Sequence, residues 1–489
     1  MEAFAAASGD RSPLHTDPEF GRRTAFGQCI VYGGLESIAL LGLLPEATQR
    51  RVSSVRSVFP GAALVSTPYT ARALTRPGLG EEWELQLSGR GRVLARVSVS
   101  LGGQLPRVLD RERLLAAAGT AVAPAAAEGL VEGLVLGGEY RPGPDLAGLA
   151  QRLGAGGLPT SILDGIAWAS HTVGMAIPGF DGLCAGVTVS AQAVTTRAPA
   201  EQWLRIREYD LRTDRILIEG VLRDDAGQPC CLGLIECFPF SPTPLPASAA
   251  LAAQLGRRDT EDGAVVVVGG TRGAGGALTL ALLARGRRVH AIHAASPRAA
   301  AELQALAGPR AHALTLHRLD AGDPAALASA AASLPERLEG IVLCAAPPPL
   351  PMTLTAETAA ELSRYVEESV RLAATPLGGL APRLRRDGGW IVVFSTATLQ
   401  EPSREHPQLA AAKGAVEAVA RAAAASVSAG LLVARVPRMR TDLVNTPGAR
   451  LRAVPPETIA AEIADAVCGG SLEPGVTVIT PTGAEVPVQ

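Results

Sequence analysis

Two stretches of the chain carry the same succession of apolar and polar positions. "IVYGGLESIALLGLL" (Ile30–Leu44) is apolar at helical spacing, and the strand-like alternations "EWELQLSG" and "RVLARVSVSL" follow it. Further along, "SILDGIAWASHTVGM" (Ser161–Met175) repeats the helical pattern, with "RILIEGVLRDD" and "CCLGLIECF" as its strands. Laid over one another, Ile30–Ser37 and Ile162–Ala169 place Tyr32-Gly33 opposite Asp164-Gly165. The repeated loop–helix–strand order predicts two copies of one unit, each a long helix wrapped by an antiparallel sheet. The Ala/Gly/Pro-rich stretch 106–157 between them reads as a connection, and "FSPTPLPASAA" (Phe240–Ala250) reads as a linker. From residue 260 onward, short β-branched runs alternate with helical stretches, the pattern of a parallel α/β sheet. The expected divisions are 1–105, 106–245 and 246–489.

Length agrees with this, since 489 residues exceed one ordinary core. A net charge of −2 and a pI near 6.4 give no electrostatic reason to expect nucleic acid or an anionic membrane as partner. The seven cysteines are irregularly spaced with no CxxC pair, which argues against a disulfide framework or a zinc site and for reduced thiols. Asp10 and Arg11 interrupt the first apolar run, and no window reaches the ~18 to 20 apolar residues of a membrane span. A cytoplasmic protein without a metal is expected, and a homo-oligomer is left open.

Candidate chemistry gathers first in "FAAASGDRSPLHTDPEFGRRTAFGQCIVYGGL" (Phe4–Leu35). Asp10 and His15 share one loop, so an acid and a base are available to one face of a substrate. A glycine at a helix start can offer a backbone N–H to a developing oxyanion. The stretch resembles the MaoC-like, R-specific enoyl-thioester hydratase/dehydratase family, which carries S-G-D-x-N-P-[IL]-H-x-D, a short T-x-F-G and an H-G at its central helix. Asp10 and His15 match the catalytic pair and Gly33 the helix glycine, whereas Ser12 replaces Asn and Tyr32 replaces His. The resemblance implies a hotdog fold and a β-hydroxyacyl-thioester substrate.

"LPTSILDGIAWAS" in turn resembles the second half of polyketide-synthase dehydratase domains, with Trp168 where that family has Gln or His. That likeness makes Asp164 a catalytic candidate, against the plain alternative that it caps its helix. His171, farther along, reads as a packed histidine.

The second constellation is "AVVVVGGTRGAGGALTLALLARGRRVHAIHA" (Ala264–Ala294), a strand, a glycine turn, a helix and a strand. Gly269, Gly273 and Gly275 form G-x3-G-x-G, which lets a pyrophosphate approach a helix N-terminus. No acidic residue ends the second strand, while Arg272 and Arg298 suit a 2′-phosphate, so NADP(H) is favoured. From here the chain resembles the short-chain dehydrogenase/reductase family. Asp320 matches its adenine-pocket Asp, Cys344 replaces an Asn, and Thr396 stands at its catalytic Ser. Lys413, the one lysine of the chain, matches the family lysine, but Leu409 occupies the place of its tyrosine. Leucine carries no proton, so ketoreduction is expected to be lost. His406, three residues upstream, is the substitute acid the stretch offers, and Tyr365, the one tyrosine of this domain, falls on a different predicted helix.

The sequence therefore predicts an α+β double hotdog followed by an α/β Rossmann-type domain. Its expected activity is dehydration of 3-hydroxyacyl thioesters on an acyl carrier protein or CoA, as in polyketide or fatty-acid-like synthesis. Dehydration needs no cofactor, and the C-terminal domain is expected to be a pseudo-ketoreductase, with NADP(H) binding left open. A cyclase or double-bond isomerase on the same scaffold, and a non-catalytic partner protein, are the rival readings.

Overall fold

The computed structural model describes residues 1–75, 83–102, 108–119, 129–192, 198–240, 243, 263–294, 296–445, 448–469 and 472–481. Most of the expected linker, after Phe240, lies outside them. The chain forms two compact units, Met1–Gly21 with Gln28–Ser241, and Arg22–Gly27 with Pro242–Gln489.

In the first unit nine strands make one antiparallel sheet. They are β1 (Val52–Val58), β2 (Thr70–Thr75), β3 (Trp83–Gly89), β4 (Arg92–Leu101), β5 (Val135–Glu139), β6 (Gly182–Ala191), β7 (Pro199–Asp210), β8 (Arg215–Asp224) and β9 (Pro229–Pro239). Their order is β2-β3-β4-β1-β6-β9-β8-β7-β5. The series β2-β3-β4-β1 is thus mirrored by β6-β9-β8-β7, as two copies of one unit require. The copies meet at β1 and β6, with Val55 opposite Val189 and Val58 opposite Gly186.

Strand alternation explains why one face is dry. In β4, Ala95, Val97, Val99 and Leu101 are buried while Arg96 and Ser98 point away. Against that dry face lie helices α1 (Gly33–Leu41) and α2 (Thr160–His171), one for each half. Trp168 of α2 is fully buried, its ring packs where Gly220 and Gly233 have no side chain, and its Nε1 donates to Gln202 at 2.8 Å. Any side chain at those two glycines would overlap the indole, so Trp168 is core.

The stretch expected to be only connecting is more structured than its composition suggests. It holds a helix, Arg111–Gly119, whose Leu114 and Ala118 cover Trp203, Val221 and Leu232 on the outer face of the sheet. It also supplies β5 and a second helix, Leu146–Arg152. Alanine-rich sequence hides such elements, because alanine carries little pattern but high helix propensity.

The second unit is a seven-stranded parallel sheet built from β10 (Ala264–Val268), β11 (Arg288–His293), β12 (Leu314–Arg318), β13 (Gly340–Leu343), β14 (Trp390–Thr396), β15 (Gly430–Val436) and β16 (Gly475–Ile479). The order is β12-β11-β10-β13-β14-β15-β16, every pairing parallel. Both faces of β10 are buried, Val265 and Val267 on one side and Val266 and Val268 on the other. That is why its sequence is an unbroken apolar run. Two helices matter below, α3 (Gly273–Ala284) after β10 and α4 (Pro407–Val427) after β14. Strand order reverses between β10 and β13, and their carboxyl ends form the crevice where such sheets bind ligands. Among the described residues, no helix is long and apolar enough to cross a membrane.

Candidate active site and nucleotide crevice

Asp10 lies in the loop after the short helix Glu2–Ser8, whereas His15 sits not in that loop but on the one-turn helix Pro13–Thr16 that follows it, ahead of Pro18–Arg22. Gly9 turns the chain there at φ +72, a conformation that side chains disfavour. A Cβ at Gly9 would also come within 3.2 Å of His171 Nδ1.

Asp10 is 2% exposed. Its Oδ1 accepts the Ser12 N–H at 2.9 Å and its Oδ2 accepts the Ser170 hydroxyl at 2.7 Å. The His15 ring approaches the Ile30 carbonyl oxygen through Nδ1 at 2.9 Å. A carbonyl only accepts, so Nδ1 carries the proton and Nε2 keeps its lone pair. Burial lowers the His15 pKa against the opposing pull of Asp10 and the Ile30 carbonyl, which favours the neutral base.

Tyr32, in place of the family histidine, does structural work. Its ring stacks on His15 with centroids 3.9 Å apart, and its hydroxyl donates to the Asp10 carbonyl at 2.9 Å. It is fully buried, and burial pushes its phenol well up, so it keeps its proton. Ser12, in place of the family asparagine, donates its hydroxyl to Phe180 O at 3.2 Å. Gly33 opens α1, where first-turn N–H groups have no intrahelical partner, and Phe59 lies against it with no room for a Cβ.

The second half of the unit clamps this loop. Beyond α2 the chain makes a π-helical turn, Thr172–Ala176, of a kind that often marks functional sites. Within it, a Cβ on Gly174 would sit 2.1 Å from Asp10 Oδ1, and Met175 Sδ receives the Arg11 N–H at 3.4 Å. Neither Ser170 nor Gly174 was legible as a site residue. A serine and a glycine on an apolar helix carry no signal until the fold brings them to Asp10.

Asp164 is not a cap. Helix α2 starts at Thr160 after Pro159, and Asp164 sits in its second turn, so the alignment of Gly165 with Gly33 does not hold as a common helix start. Its carboxyl is 6% exposed, and burial alone raises its pKa to about 7. Among the described residues no hydrogen bond links it to Asp10 or His15. The Tyr140 phenol feels the charges of both Asp164 and Asp10, donates to Ser8 O at 3.3 Å, and packs on the His171 ring at 4.9 Å. His171 is thus a packed histidine with its pKa lowered by burial.

In the second unit, the glycine turn after β10 suits a pyrophosphate. Gly269 and Gly273 take φ +79 and +54, and a Cβ on Gly275 would fall 2.1 Å from the Gly269 carbonyl. At the carboxyl end of β11, His293 Nδ1 and the Ser296 hydroxyl are buried with no hydrogen-bond partner among the described residues. Arg272, the N-cap residue of α3, reaches the Arg22 carbonyl and lies 3.7 Å from Asp442. Arg298 is exposed. Asp320 holds its own loop, accepting Gly322 N–H at 2.8 Å and pairing with Arg371 at 3.2 Å. These residues fit a nucleotide, and the lack of an acid beside His293 fits one bearing a 2′-phosphate. Such a cofactor would supply a hydride.

The reducing end is altered. Lys413 Nζ donates to Phe394 O at 2.7 Å beside Cys344, and burial lowers its pKa. The Thr396 hydroxyl caps the turn after β14, accepting Thr398 N–H at 3.2 Å. Leu409 stands on α4 one turn before Lys413. A proline-rich segment is pinned beside it, with Leu350 O accepting from Gln408 Nε2 at 2.7 Å and Met352 N–H donating to Glu405 O at 2.9 Å. Tyr365 is spent on the same segment, donating to Pro347 O at 3.0 Å. His406 occupies the N-cap position of α4.

Comparison with known proteins agrees with this division. The model of the MaoC like domain matches residues 1–62, and that of the short chain dehydrogenase matches residues 263–446. No curated protein matches the chain in sequence. Similar solved structures include a dehydrogenase/reductase from Sinorhizobium meliloti 1021, 19% identical, covering 48% of this chain and 99% of its own with a TM-score of 0.40. A short-chain dehydrogenase/reductase from Burkholderia multivorans with bound NADP is 20% identical over 46% of this chain and 98% of its own, with a TM-score of 0.40. One from Mycobacterium ulcerans is 23% identical over 46% and 91%, also at 0.40. The chain is a fusion of a MaoC-like domain at its N-terminus with a short-chain dehydrogenase domain at its C-terminus.

Proposed function

We propose that the first unit dehydrates 3-hydroxyacyl thioesters, or hydrates the corresponding enoyl thioesters, carried on an acyl carrier protein or CoA. The observation that supports this most is the Asp10–His15 arrangement: a buried carboxyl with both oxygens held, beside an imidazole whose Nε2 is left free. In this reading Nε2 takes the α-proton while Asp10, reacting in its protonated form, gives its proton to the departing hydroxyl; water leaves, and the carboxylate that results is held by the Ser12 N–H and the Ser170 hydroxyl. The Gly33 N–H stabilises charge on the thioester oxygen, and Asp164 is assigned a supporting part through Tyr140.

The second unit is read as a pseudo-reductase that binds NADP(H) through Gly269, Gly273, Gly275, Arg272 and Lys413 without turning it over. Leu409 in the acid's place, Thr396 engaged by its own turn and the pinned proline segment support that reading. A pairing of dehydratase-like and reductase-like units suits processing of a growing acyl chain, as in polyketide synthesis. Seven free cysteines suit a cytoplasmic setting.

Mass spectrometry of 3-hydroxyacyl and 3-ketoacyl pantetheine thioesters, with and without NADPH, tests both parts. Loss of water without NADPH, abolished in His15→Ala, is the expected result. Absence of that loss from folded protein rejects the dehydratase, and NADPH oxidation with the ketoacyl thioester rejects the pseudo-reductase.

A further inference from the structure

Helix α1 holds an acid that the reaction above leaves unused. Glu36 is one turn beyond Gly33, on the same side of the helix, and is 6% exposed. The Ala63 N–H reaches its carboxyl. Its Oε2, in contrast, is buried with no hydrogen-bond partner, and no ion pair holds the group among the described residues. An apolar side chain at this place in the core would cost nothing comparable, so an orphaned carboxyl oxygen calls for a partner that arrives from outside.

Glu36 is also close to the catalytic loop. Val31 N–H donates to the Ala63 carbonyl at 2.8 Å, and the neighbouring carbonyl, that of Ile30, is the one that fixes His15. Facing these elements from β6, the Cys184 thiol feels Asp10, Glu36 and, from β9, Glu236. The charged groups near Glu36 are therefore acids, and burial raises its own pKa to about 8, so at neutral pH it is mostly protonated and has a hydrogen to donate.

We propose that Glu36 is a binding site for a hydrogen-bonding oxygen on the acyl chain, a hydroxyl or ketone beyond the β-carbon. A substrate whose thioester carbonyl meets the Gly33 N–H and whose chain runs along α1 brings such an oxygen to the next turn. The carboxyl donates to it, which satisfies the orphaned group and selects oxygenated chains over plain ones. The assignment rests on the dehydratase reading for the placement of the thioester at Gly33.

The test is calorimetric binding of two unreactive pantetheine amides, 3-hydroxyhexanoyl and 3,5-dihydroxyhexanoyl, to wild type, Glu36→Gln and Glu36→Leu. Wild type is expected to prefer the dihydroxy amide by about tenfold or more, with the ratio falling to near one in Glu36→Leu and partly kept in Glu36→Gln. A wild-type ratio of one, or a ratio unchanged in Glu36→Leu, overturns the proposal. Should Glu36→Leu fail to fold, Glu36→Gln decides alone, an unchanged ratio together with an unchanged pH dependence of binding from pH 7 to 9 being the negative result. Water loss from the 3-hydroxyacyl thioester is followed separately, so its absence rejects the dehydratase while the binding ratio still decides Glu36.

Discussion

The Ser170 hydroxyl donates to Asp10 Oδ2 at 2.7 Å, joining two residues 160 positions apart in the chain. It supplies one of the two hydrogen bonds that hold the carboxylate oxygens, and it comes from the helix of the other half. Removing it frees Asp10 to rotate. Ser170→Ala is expected to lower kcat by about 10- to 100-fold, the equivalent of the ~1.5–3 kcal/mol of a hydrogen bond to a charged group, with KM little changed. Ser170→Thr, which keeps the hydroxyl, should retain most of the rate. Equal rates for the alanine variant and wild type would show that Asp10 needs no such support.

Gly174 presses on the same carboxylate from the π-helical turn. Gly174→Ala forces either Asp10 or the turn to move, because the added carbon falls 2.1 Å from Oδ1. We expect destabilisation of about 1–3 kcal/mol by thermal unfolding and a loss of dehydration larger than that of Ser170→Ala. Alanine tolerated with full activity would mean that the turn is not the clamp it resembles.

With His15 as the proposed base, its protonation sets a pH limit. His15 has its pKa lowered by burial, and protonation of Nε2 stops proton abstraction. As pH falls, kcat/KM should therefore decline only below 6.5, at a lower pH than an ordinary histidine would give. A midpoint at or above 6.5 in the pH profile would contradict the buried, neutral base.

Asp164 has a folded pKa of about 7 against an ordinary 3.8, because burial disfavours its charge. The unfolded chain thus ionises first, and stability is lost as pH rises from about 4 to 7 and is then level. Asp164→Asn removes that loss, so the variant should gain on wild type across this window, by up to about 4 kcal/mol at pH 7 and above if the new amide sits well. Denaturant unfolding at pH 4 and pH 8 checks it, and a difference that does not grow with pH would be inconsistent with a buried neutral acid.

In the second unit, fluorescence titration should show NADPH binding with no oxidation. Gly275→Val brings a side chain against the Gly269 carbonyl and should abolish binding, while water loss in the first unit serves as the control for intact protein. Binding unaffected by the valine would place the nucleotide elsewhere or nowhere.

Much of this was legible in the residues. Helical and alternating periods located α1, α2 and the strands β3, β4, β8, β9, β10 and β11, since apolar spacing reports which face meets a core. Asp10, His15 and the glycine turn stood out because their chemistry is local to a few consecutive residues. Ser170, Gly174 and Glu36 did not, since each matters through a neighbour far away in the chain. Tyr32 illustrates the other failure. It reads as a lost histidine, yet its ring and hydroxyl brace the residues on both sides of it. The helix Arg111–Gly119 was missed because "RERLLAAAG" lies in alanine-rich sequence with little apolar contrast.

The seam between β1 and β6 has a consequence for how this protein changes over time. Because one continuous sheet fixes the second half against the first, the residues from Ser170 to Phe180 hold Asp10, Arg11 and Ser12 in place. A second copy that does not itself contain the Asp10–His15 pair would normally drift. Here drift is restrained wherever its chain touches Asp10, Arg11 or Ser12, and free elsewhere. Variation among descendants of this sequence should therefore be uneven within a single helix, tight at the end that grips the loop and looser toward Thr160.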